Sequence, residues 1–167
     1  IGAGVTGFAD GELVVPHYSR TWMHGSTNAA HQAGAHGGPL DGTAQEMFVV
    51  PANAVVKAPA HMEAAQAATL PCAAVTAWNA IVAGGQAKAG DLILLQGTGG
   101  VSLFALQFAK AAGASVIATS SSNEKLERLR ELGADHLINY KEVEAWGSKV
   151  LELTGGKGVD CVVEIGG

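Results

Sequence analysis

The residues best suited to chemistry lie in a glycine-rich turn at residues 97–102, GTGGVS. Gly97 and Gly99 occupy the first two places of a G-x-G-x-x-G pattern, and Ser102 stands in the third. Residues without side chains let an anion approach the backbone, and the N–H groups at a helix N terminus attract negative charge. The turn therefore indicates a phosphate site, provided that a strand precedes it and a helix follows it.

Both flanking elements are predicted from the sequence. Residues 92–95, LILL, form a short apolar run that is typical of a strand buried on both faces of a parallel sheet. Apolar residues at helical spacing follow from Leu103, and Gly113 is placed to end that helix. Strand, glycine turn and helix are the context of the dinucleotide fingerprint, in which the turn holds a pyrophosphate.

The alternation of strands and helices continues beyond this turn. Further strands are predicted at residues 116–118, 137–140 and 159–165, with helices at 123–132 and 143–153. Ser121 and Glu124 are spaced as a capping box for the first of these helices, and Gly133 is placed to end it. Strands separated by such helices predict an α/β fold with a parallel sheet.

The first part of the chain has a different pattern. Short strands are predicted at residues 13–15, 46–50 and 55–57, and the polar, glycine-rich residues 17–43 are predicted to form a long surface loop. An alanine-rich helix is predicted from Met62 to Thr69, and a second helical piece extends from Pro71 to Val82. This change in composition places a domain boundary near residue 61, with domains at 1–61 and 62–167.

Composition narrows the possible functions. The 167 residues can form one domain or parts of two, and a net charge of −5 with only 15% charged residues argues against nucleic-acid and anionic-membrane partners. Neither a signal peptide nor a strongly apolar run of about 18 residues is expected, the nearest run being 64–83. Two cysteines are too few for a disulfide framework, which favours the cytoplasm. The absence of an initial Met and the end at Gly167 suggest a fragment.

Several longer stretches carry a family resemblance: GELVVP, GGPLDGTAQEMFVVPANAVVKAP, AATLPCAAVTAWNA, GDLILLQGTGGVSLFALQFAKAAGASVIATSS, ELGADHLINY and GVDCVVEIGG. In their order and spacing the chain resembles the medium-chain dehydrogenase/reductase superfamily, specifically its zinc-type alcohol dehydrogenase-like and quinone oxidoreductase-like members. The resemblance implies that residues 1–61 are the later part of a β-rich, barrel-like catalytic domain. Residues 62–167 would then be the first half of a Rossmann domain with a doubly wound parallel sheet. We further expect a homodimer or a higher homo-oligomer.

The resemblance also implies that NADP or NAD is the cofactor. Its cofactor contacts fall on the glycine turn, on the helix before it and on the ends of the later strands: Thr76, Gly97, Thr98, Gly99, Gly100, Val101, Ser120, Ser121, Lys125, Tyr140, Ile165 and Gly166. Thr76 and Val101 stand where the family contacts the nicotinamide ring, and Tyr140 where some members contact the adenine side. Packing of helices and strands would explain the same residues without a ligand.

Ser120 bears on the choice between the two cofactors. Members that prefer NAD generally have an acidic residue at the tip of this strand, where it holds the ribose hydroxyls. A carboxylate would repel a 2′-phosphate, whereas Ser120 and Ser121 would not, and Lys125 and Arg128 lie close enough in sequence to offer positive charge. The serines also suit a helix cap, and the basic residues also suit a solvated helix surface. The pattern slightly favours NADP(H) and leaves NAD(H) open.

No zinc site is expected. Cys72 stands where zinc-dependent members place a ligand of the catalytic zinc, but a small residue packed in an alanine-rich helix is the favoured interpretation. Zinc-type members often carry four closely spaced cysteines in the lobe that corresponds to residues 17–43, which contain none. The histidines of this loop have irregular spacings and are interpreted as solvated: His17, His24, His31 and His36.

Two functional hypotheses follow. The first is an NAD(P)(H)-dependent oxidoreductase that transfers a hydride between the nicotinamide and a small-molecule substrate. With zinc the substrate would be an alcohol or a carbonyl compound, and without zinc a quinone or an activated double bond such as an enone. The alternative is a dinucleotide-binding or redox-sensing module without catalysis. Turnover by the full-length protein would separate the two.

Overall fold

The computed structural model describes residues 1–166, and the chain divides into two compact units. Unit 1 is Ile1–Cys72 and unit 2 is Ala73–Gly167. The domain boundary near residue 61 stays a prediction, since a division into compact units does not test where a catalytic domain ends.

Unit 1 contains a small antiparallel sheet and a short helix. Strand β1 (Val14–Pro16) pairs with β2 (Val55–Lys57), with Val15 opposite Val56. Helix α1 (Ala29–Ala33) begins after Asn28, whose side-chain oxygen accepts a hydrogen bond from His31 N at 3.0 Å. A single turn of 3₁₀ helix, Ala52–Ala54, precedes β2.

Two sequence expectations for unit 1 are wrong. Residues 17–43 are not all loop, because α1 forms there and Ser19 is buried, its Oγ donating to His31 O at 2.6 Å. Residues 46–50 are not a strand, because their backbone groups form no strand hydrogen bonds with another described segment. Met47 and Val49 point outward with 82% and 88% of their surfaces exposed.

A continuous helical segment, Ala64–Gly84, contains α2 (Ala64–Ala67) and α3 (Val75–Trp78). Wider helical turns follow each of them, at Leu70–Ala74 and Asn79–Gly84. Pro71 lies in the first wide turn, where a residue without an N–H cannot make the normal bond.

The Ala64–Gly84 segment bears on the expectation that the chain has no strongly apolar run of about 18 residues. It is long and apolar enough, by length and composition alone, to cross a membrane, although no such run was expected. Core helices of soluble proteins pass the same test, and Ala77 and Ile81 of this segment are fully buried in the core of unit 2.

Unit 2 is built on a parallel sheet of four strands in the order β5-β4-β3-β6. Its strands are β3 (Leu92–Gln96), β4 (Ser115–Ser120), β5 (His136–Asn139) and β6 (Cys161–Val163). Its further helices are α4 (Gly100–Ala111), α5 (Asn123–Glu131) and α6 (Trp146–Leu153). The strands and helices alternate as the sequence predicts, and Gly113 and Gly133 follow their helices with φ of 81° and 98°.

Apolar side chains cover both faces of this sheet. On one face, Ile93 and Leu95 pack with Leu106 of α4 and Leu129 of α5. On the other face lies a second buried cluster, formed by Leu94, Ile117, Ile138 and Val150 of α6. Alternate residues of each strand therefore point to opposite helical layers, which is the doubly wound arrangement of a Rossmann half-domain.

Candidate dinucleotide-binding site

The carboxyl ends of the parallel strands gather the predicted cofactor residues at one edge of the sheet. Pairing places Gln96 opposite Thr119 and Ser120 opposite Asn139. The chain leaving each strand stays close to its neighbour, since Gly97 N donates to Thr119 O at 3.1 Å and Tyr140 N donates to Ser120 O at 3.0 Å. Ligands of open α/β sheets bind at such an edge.

The glycine turn is open where a phosphate would approach. Gly97 has a φ of +86°, which disfavours any side chain there. Gly99 precedes α4 as its N-cap in extended conformation, with φ −79° and ψ 177°. A Cβ built on Gly97 or Gly99 meets no heavy atom within 4 Å. Side chains at these positions would therefore fill free space beside the N terminus of α4.

Gly100 is glycine for a packing reason. A Cβ at this position would lie 3.3 Å from the Cβ of Ala73 in the preceding helical segment. The small residues thus let α4 lie close to that segment, which contains Thr76 on α3. Thr76 is exposed and Val101 is half-buried against the core, so the two expected nicotinamide contacts lie on helices that pack together.

Ser102 lies in the first turn of α4 and is 2% exposed. Its Oγ donates to the backbone oxygen of Gln96, the last residue of β3, at 3.2 Å. The third place of the glycine pattern therefore holds a residue that is small enough for the helix and strand to approach, as expected. Its hydroxyl also joins the two, which the sequence pattern did not indicate.

At the tip of β4, the serines form a turn that begins α5. Ser120 is 2% exposed, and its Oγ accepts a hydrogen bond from Ser122 N at 3.2 Å. The N-cap of α5 is Ser122, whose Oγ accepts from Lys125 N at 3.4 Å. The expected capping box of Ser121 and Glu124 is therefore wrong, because the helix begins only after Ser122, and Ser122 caps it. Ser121 is left half-buried and without a capping role.

Lys125 differs from the other cations of α5. Arg128 pairs with Glu131 at 2.7 Å and Arg130 pairs with Glu127 at 3.2 Å. Lys125 is exposed and forms no ion pair with residues 1–166. Positive charge in the first turn of α5 is thus available to an anionic ligand.

A polar network beside this tip was missed by sequence reasoning. The amide of Asn139 donates to Asn123 Oδ1 at 2.7 Å and to Glu142 Oε1 at 3.1 Å, and Asn123 Nδ2 donates to the same Glu142 oxygen at 2.6 Å. Asn139 ends β5 and is followed by Tyr140, which is 42% exposed. The network fixes the chain on which Tyr140 lies.

The last two predicted cofactor contacts, Ile165 and Gly166, follow β6. Ile165 is 52% exposed, and Gly166 comes next at the end of the described chain. Both extend from the carboxyl end of a strand that pairs with β3, Leu95 lying opposite Val163. They are therefore on the same edge as the glycine turn. Their roles as ligand contacts stay a prediction, like those of the other residues at this edge.

Within residues 1–166, no group of three or more His, Cys, Asp or Glu side chains could hold a metal ion. Cys72 is exposed on its helical segment, so its interpretation as a packed residue is wrong. Two of the loop histidines are not solvated as expected: His31 stacks on Trp22 with ring centroids 6.0 Å apart, and His36 packs edge-on against Phe48 at 5.0 Å.

Comparisons with known proteins agree with this architecture. Residues 100–167 match the family described as zinc-binding dehydrogenase. A zinc-type alcohol dehydrogenase-like protein of Schizosaccharomyces pombe is 47% identical over the whole chain, which covers 49% of that protein. The chain thus spans about half the length of this relative.

Solved structures lead to the same family. A protein from Sinorhizobium meliloti 1021 assigned as an alcohol dehydrogenase is 46% identical, with a TM-score of 0.92 over 100% of this chain and 50% of its own. An NAD-dependent alcohol dehydrogenase is 35% identical, with a TM-score of 0.83 over 97% of this chain and 49% of its own. The chain therefore belongs to the medium-chain dehydrogenase/reductase superfamily, among its zinc-type alcohol dehydrogenase-like proteins.

Proposed function

We propose that the protein is an NAD(P)(H)-dependent oxidoreductase that transfers a hydride between the nicotinamide and a small alcohol, carbonyl, quinone or enone substrate. The observation that carries this proposal is the open glycine turn at the N terminus of α4, where Gly97 and Gly99 leave free space at the carboxyl edge of the sheet. Phosphate groups are stabilised at such helix ends by backbone N–H groups and the helix dipole.

Different residues around the turn would contact different parts of the cofactor. The backbone of residues 97–101 would hold the pyrophosphate. Thr76 and Val101 would flank the nicotinamide, and Tyr140 would lie on the adenine side. Ile165 and Gly166 would contact the cofactor where the chain leaves β6. When bound, the cofactor supplies the hydride chemistry, and the protein supplies orientation and a group that polarises the substrate.

NADP(H) is the proposed cofactor in preference to NAD(H). The tip of β4 carries Ser120 and Ser121 in place of an acid, and Lys125 has no ion-pair partner among the described residues. Because the Ser120 hydroxyl is buried and already bonded to Ser122 N, we assign direct contact with a 2′-phosphate to Ser121 and Lys125. Ser120 would shape the turn that presents them.

We also propose that the protein works without zinc, as a cytoplasmic homodimer or higher homo-oligomer that binds neither nucleic acid nor membranes. The lack of cysteine in residues 17–43 argues against a structural zinc, and the net charge of −5 argues against nucleic-acid and anionic-membrane partners. In the absence of a metal, hydrogen bonds would polarise the carbonyl of a quinone or an enone for hydride addition.

Titration of the full-length protein with NADPH and NADH, followed by turnover assays, tests the proposal. Cofactor oxidation coupled to loss of an enone, quinone or carbonyl substrate is the expected result. Binding of a dinucleotide without turnover across these substrate classes would favour a non-catalytic binding or redox-sensing module. Absence of binding would refute the assignment of the glycine turn.

A further inference from the structure

We propose that Ser102 is a positioning residue for the pyrophosphate-binding turn, acting through its hydroxyl on a segment, residues 97–101, in which three of the five residues are glycine. This inference rests on the proposed function and adds to it a residue that touches neither cofactor nor substrate. It concerns how the empty turn keeps its shape before a ligand arrives.

The geometry of Ser102 joins the two ends of the turn. Ser102 is the residue that follows 97–101, and Gln96 is the residue that precedes them. The hydrogen bond from Ser102 Oγ to Gln96 O, at 3.2 Å, therefore closes a ring around all the residues predicted to face the pyrophosphate. Ser102 is 2% exposed, so water competes little for this bond.

A second anchor holds the first residue of the turn. Gly97 N donates to Thr119 O at 3.1 Å, and Thr119 Oγ1 lies 3.4 Å from the same nitrogen. Between these anchors, Gly97 and Gly99 have no neighbour within 4 Å of a built Cβ. Side-chain packing therefore does not hold Gly97 and Gly99, and the shape of this part of the turn depends on how the ends of the turn are held.

Serine at position 102 holds the turn better than the glycine of the G-x-G-x-x-G pattern would. Glycine in the first turn of α4 would add backbone freedom and would leave Gln96 O without the Ser102 hydroxyl. A turn already held in its bound shape loses less conformational entropy when the ligand binds. Ser102 should therefore strengthen the binding of ligands that carry a pyrophosphate and leave other ligands unaffected.

The test compares Ser102→Ala and Ser102→Cys with wild type in the full-length protein. Alanine removes the hydroxyl, and cysteine replaces it with a thiol that is only a weak donor, so both variants should behave alike. We expect affinity for NADPH and ADP-ribose to fall about three- to tenfold, as for loss of one hydrogen bond. Affinity for adenosine, which lacks the pyrophosphate and is followed by NMR, should stay within about twofold.

A matched control separates positioning from general loss of stability. Leu129→Val removes one methylene from the core at α5, where Leu129 is 1% exposed, and does not touch the turn. It should lower thermal stability without the selective loss of pyrophosphate ligands. Equal losses for adenosine and NADPH in the Ser102 variants, or no loss at all, would overturn the inference while wild-type binding upholds the proposed function. A wild type that binds no dinucleotide would overturn both.

Discussion

Asp135 and Val116 exchange two hydrogen bonds at the amino edge of the sheet. The Oδ2 of Asp135 accepts from Val116 N at 2.7 Å, and Asp135 N donates to Val116 O at 2.9 Å. Asp160 and Leu92 repeat the arrangement, with Asp160 Oδ2 accepting from Leu92 N and Asp160 N donating to Leu92 O, both at 2.8 Å. In each pair, an aspartate just before one strand is joined to the neighbouring parallel strand, which helps to set the register.

These aspartates lie on the edge of the sheet away from the proposed site. Asp91, Asp135 and Asp160 all lie at the amino ends of strands, on the opposite edge from the glycine turn. The residues that follow β3 and β4, 97–99 and 121–122, are uncharged. An anionic ligand at the proposed site therefore meets helix N termini without a facing carboxylate on the turn.

The Asp135 pair predicts an acid-sensitive contribution to stability. Partial burial acts to raise the pKa of Asp135, but hydrogen bonds from Lys110 and Val116 N outweigh it and hold the pKa below its ordinary value of 3.8. The group is charged in the native state, so its contribution is complete above that ordinary value and is lost as the pH falls through the lowered pKa.

Thermal unfolding of Asp135→Ala and wild type at pH 7 and near pH 2 measures this contribution. At pH 7 the substitution should cost about 1–3 kcal/mol, because the buried Val116 N–H loses its partner. The difference between the two proteins should narrow in acid. Asp41→Ala is the control, since Asp41 is exposed and outside the sheet, and it should change little at either pH. A gap for Asp135→Ala that is constant with pH would contradict the ionic part of this account.

Gly99→Val is predicted to abolish cofactor binding while leaving the fold intact. The φ and ψ of Gly99, −79° and 177°, are open to valine, and the built Cβ meets no atom within 4 Å. The new side chain would occupy the space proposed for the pyrophosphate. Calorimetric titration with NADPH measures the loss, and circular dichroism checks the fold. Gly147→Val, also into open space but on α6, should bind normally; unchanged affinity in Gly99→Val would exclude this turn as the site.

The sheet and its turn could be predicted from the sequence because their signals are local. Each signal depends only on residues that are near in sequence: the LILL run, the glycines after it, and the glycines that end α4 and α5. The alternation of these units then requires a parallel sheet. This part of the fold is confirmed by β3 to β6 and the helices between them.

Features that depend on distant neighbours could not be predicted in the same way. Residues 47–50 form a short apolar run, but a strand also needs a paired neighbour, which the run does not reveal. Ser102 is visible as a small residue, whereas its bond to Gln96 depends on how α4 lies over β3. The network joining Asn123, Asn139 and Glu142 forms only when the ends of β4 and β5 meet.

Metal content is a separate prediction about the full-length protein. We expect no zinc on elemental analysis after purification without chelators, because residues 17–43 lack the cysteines with which zinc-type members often hold a structural zinc. Cys72→Ala should then leave turnover and cofactor affinity within about twofold. Stoichiometric zinc that is lost in Cys72→Ala would refute this prediction and favour an alcohol dehydrogenase mechanism on the metal.

Cofactor preference is predicted to depend on Lys125. Lys125→Gln should weaken NADPH binding by roughly three- to tenfold, because a charge-assisted contact with the 2′-phosphate is lost. NADH, which lacks that phosphate, should be affected less than twofold. Arg128→Gln is the matched control on the same helix: its guanidinium already pairs with Glu131 at 2.7 Å, so its effect on NADPH should be smaller.

Ser121→Asp is predicted to shift the preference in the same direction by adding negative charge. A carboxylate at the half-buried Ser121 would repel the 2′-phosphate of NADPH and could accept hydrogen bonds from the ribose hydroxyls of NADH. A change in the affinity ratio of about tenfold, or 1.4 kcal/mol, is expected. Ser120→Asp is a poorer test, because Ser120 is 2% exposed and a charge there would be buried. Titrations of wild type and both variants with NADPH and NADH decide the point. The contrary outcome is a wild type that strongly prefers NADH, with the same ratio of the two affinities in Lys125→Gln and Ser121→Asp. It would show that backbone groups at this strand tip bind the ribose and that Lys125 and Ser121 do not select the cofactor.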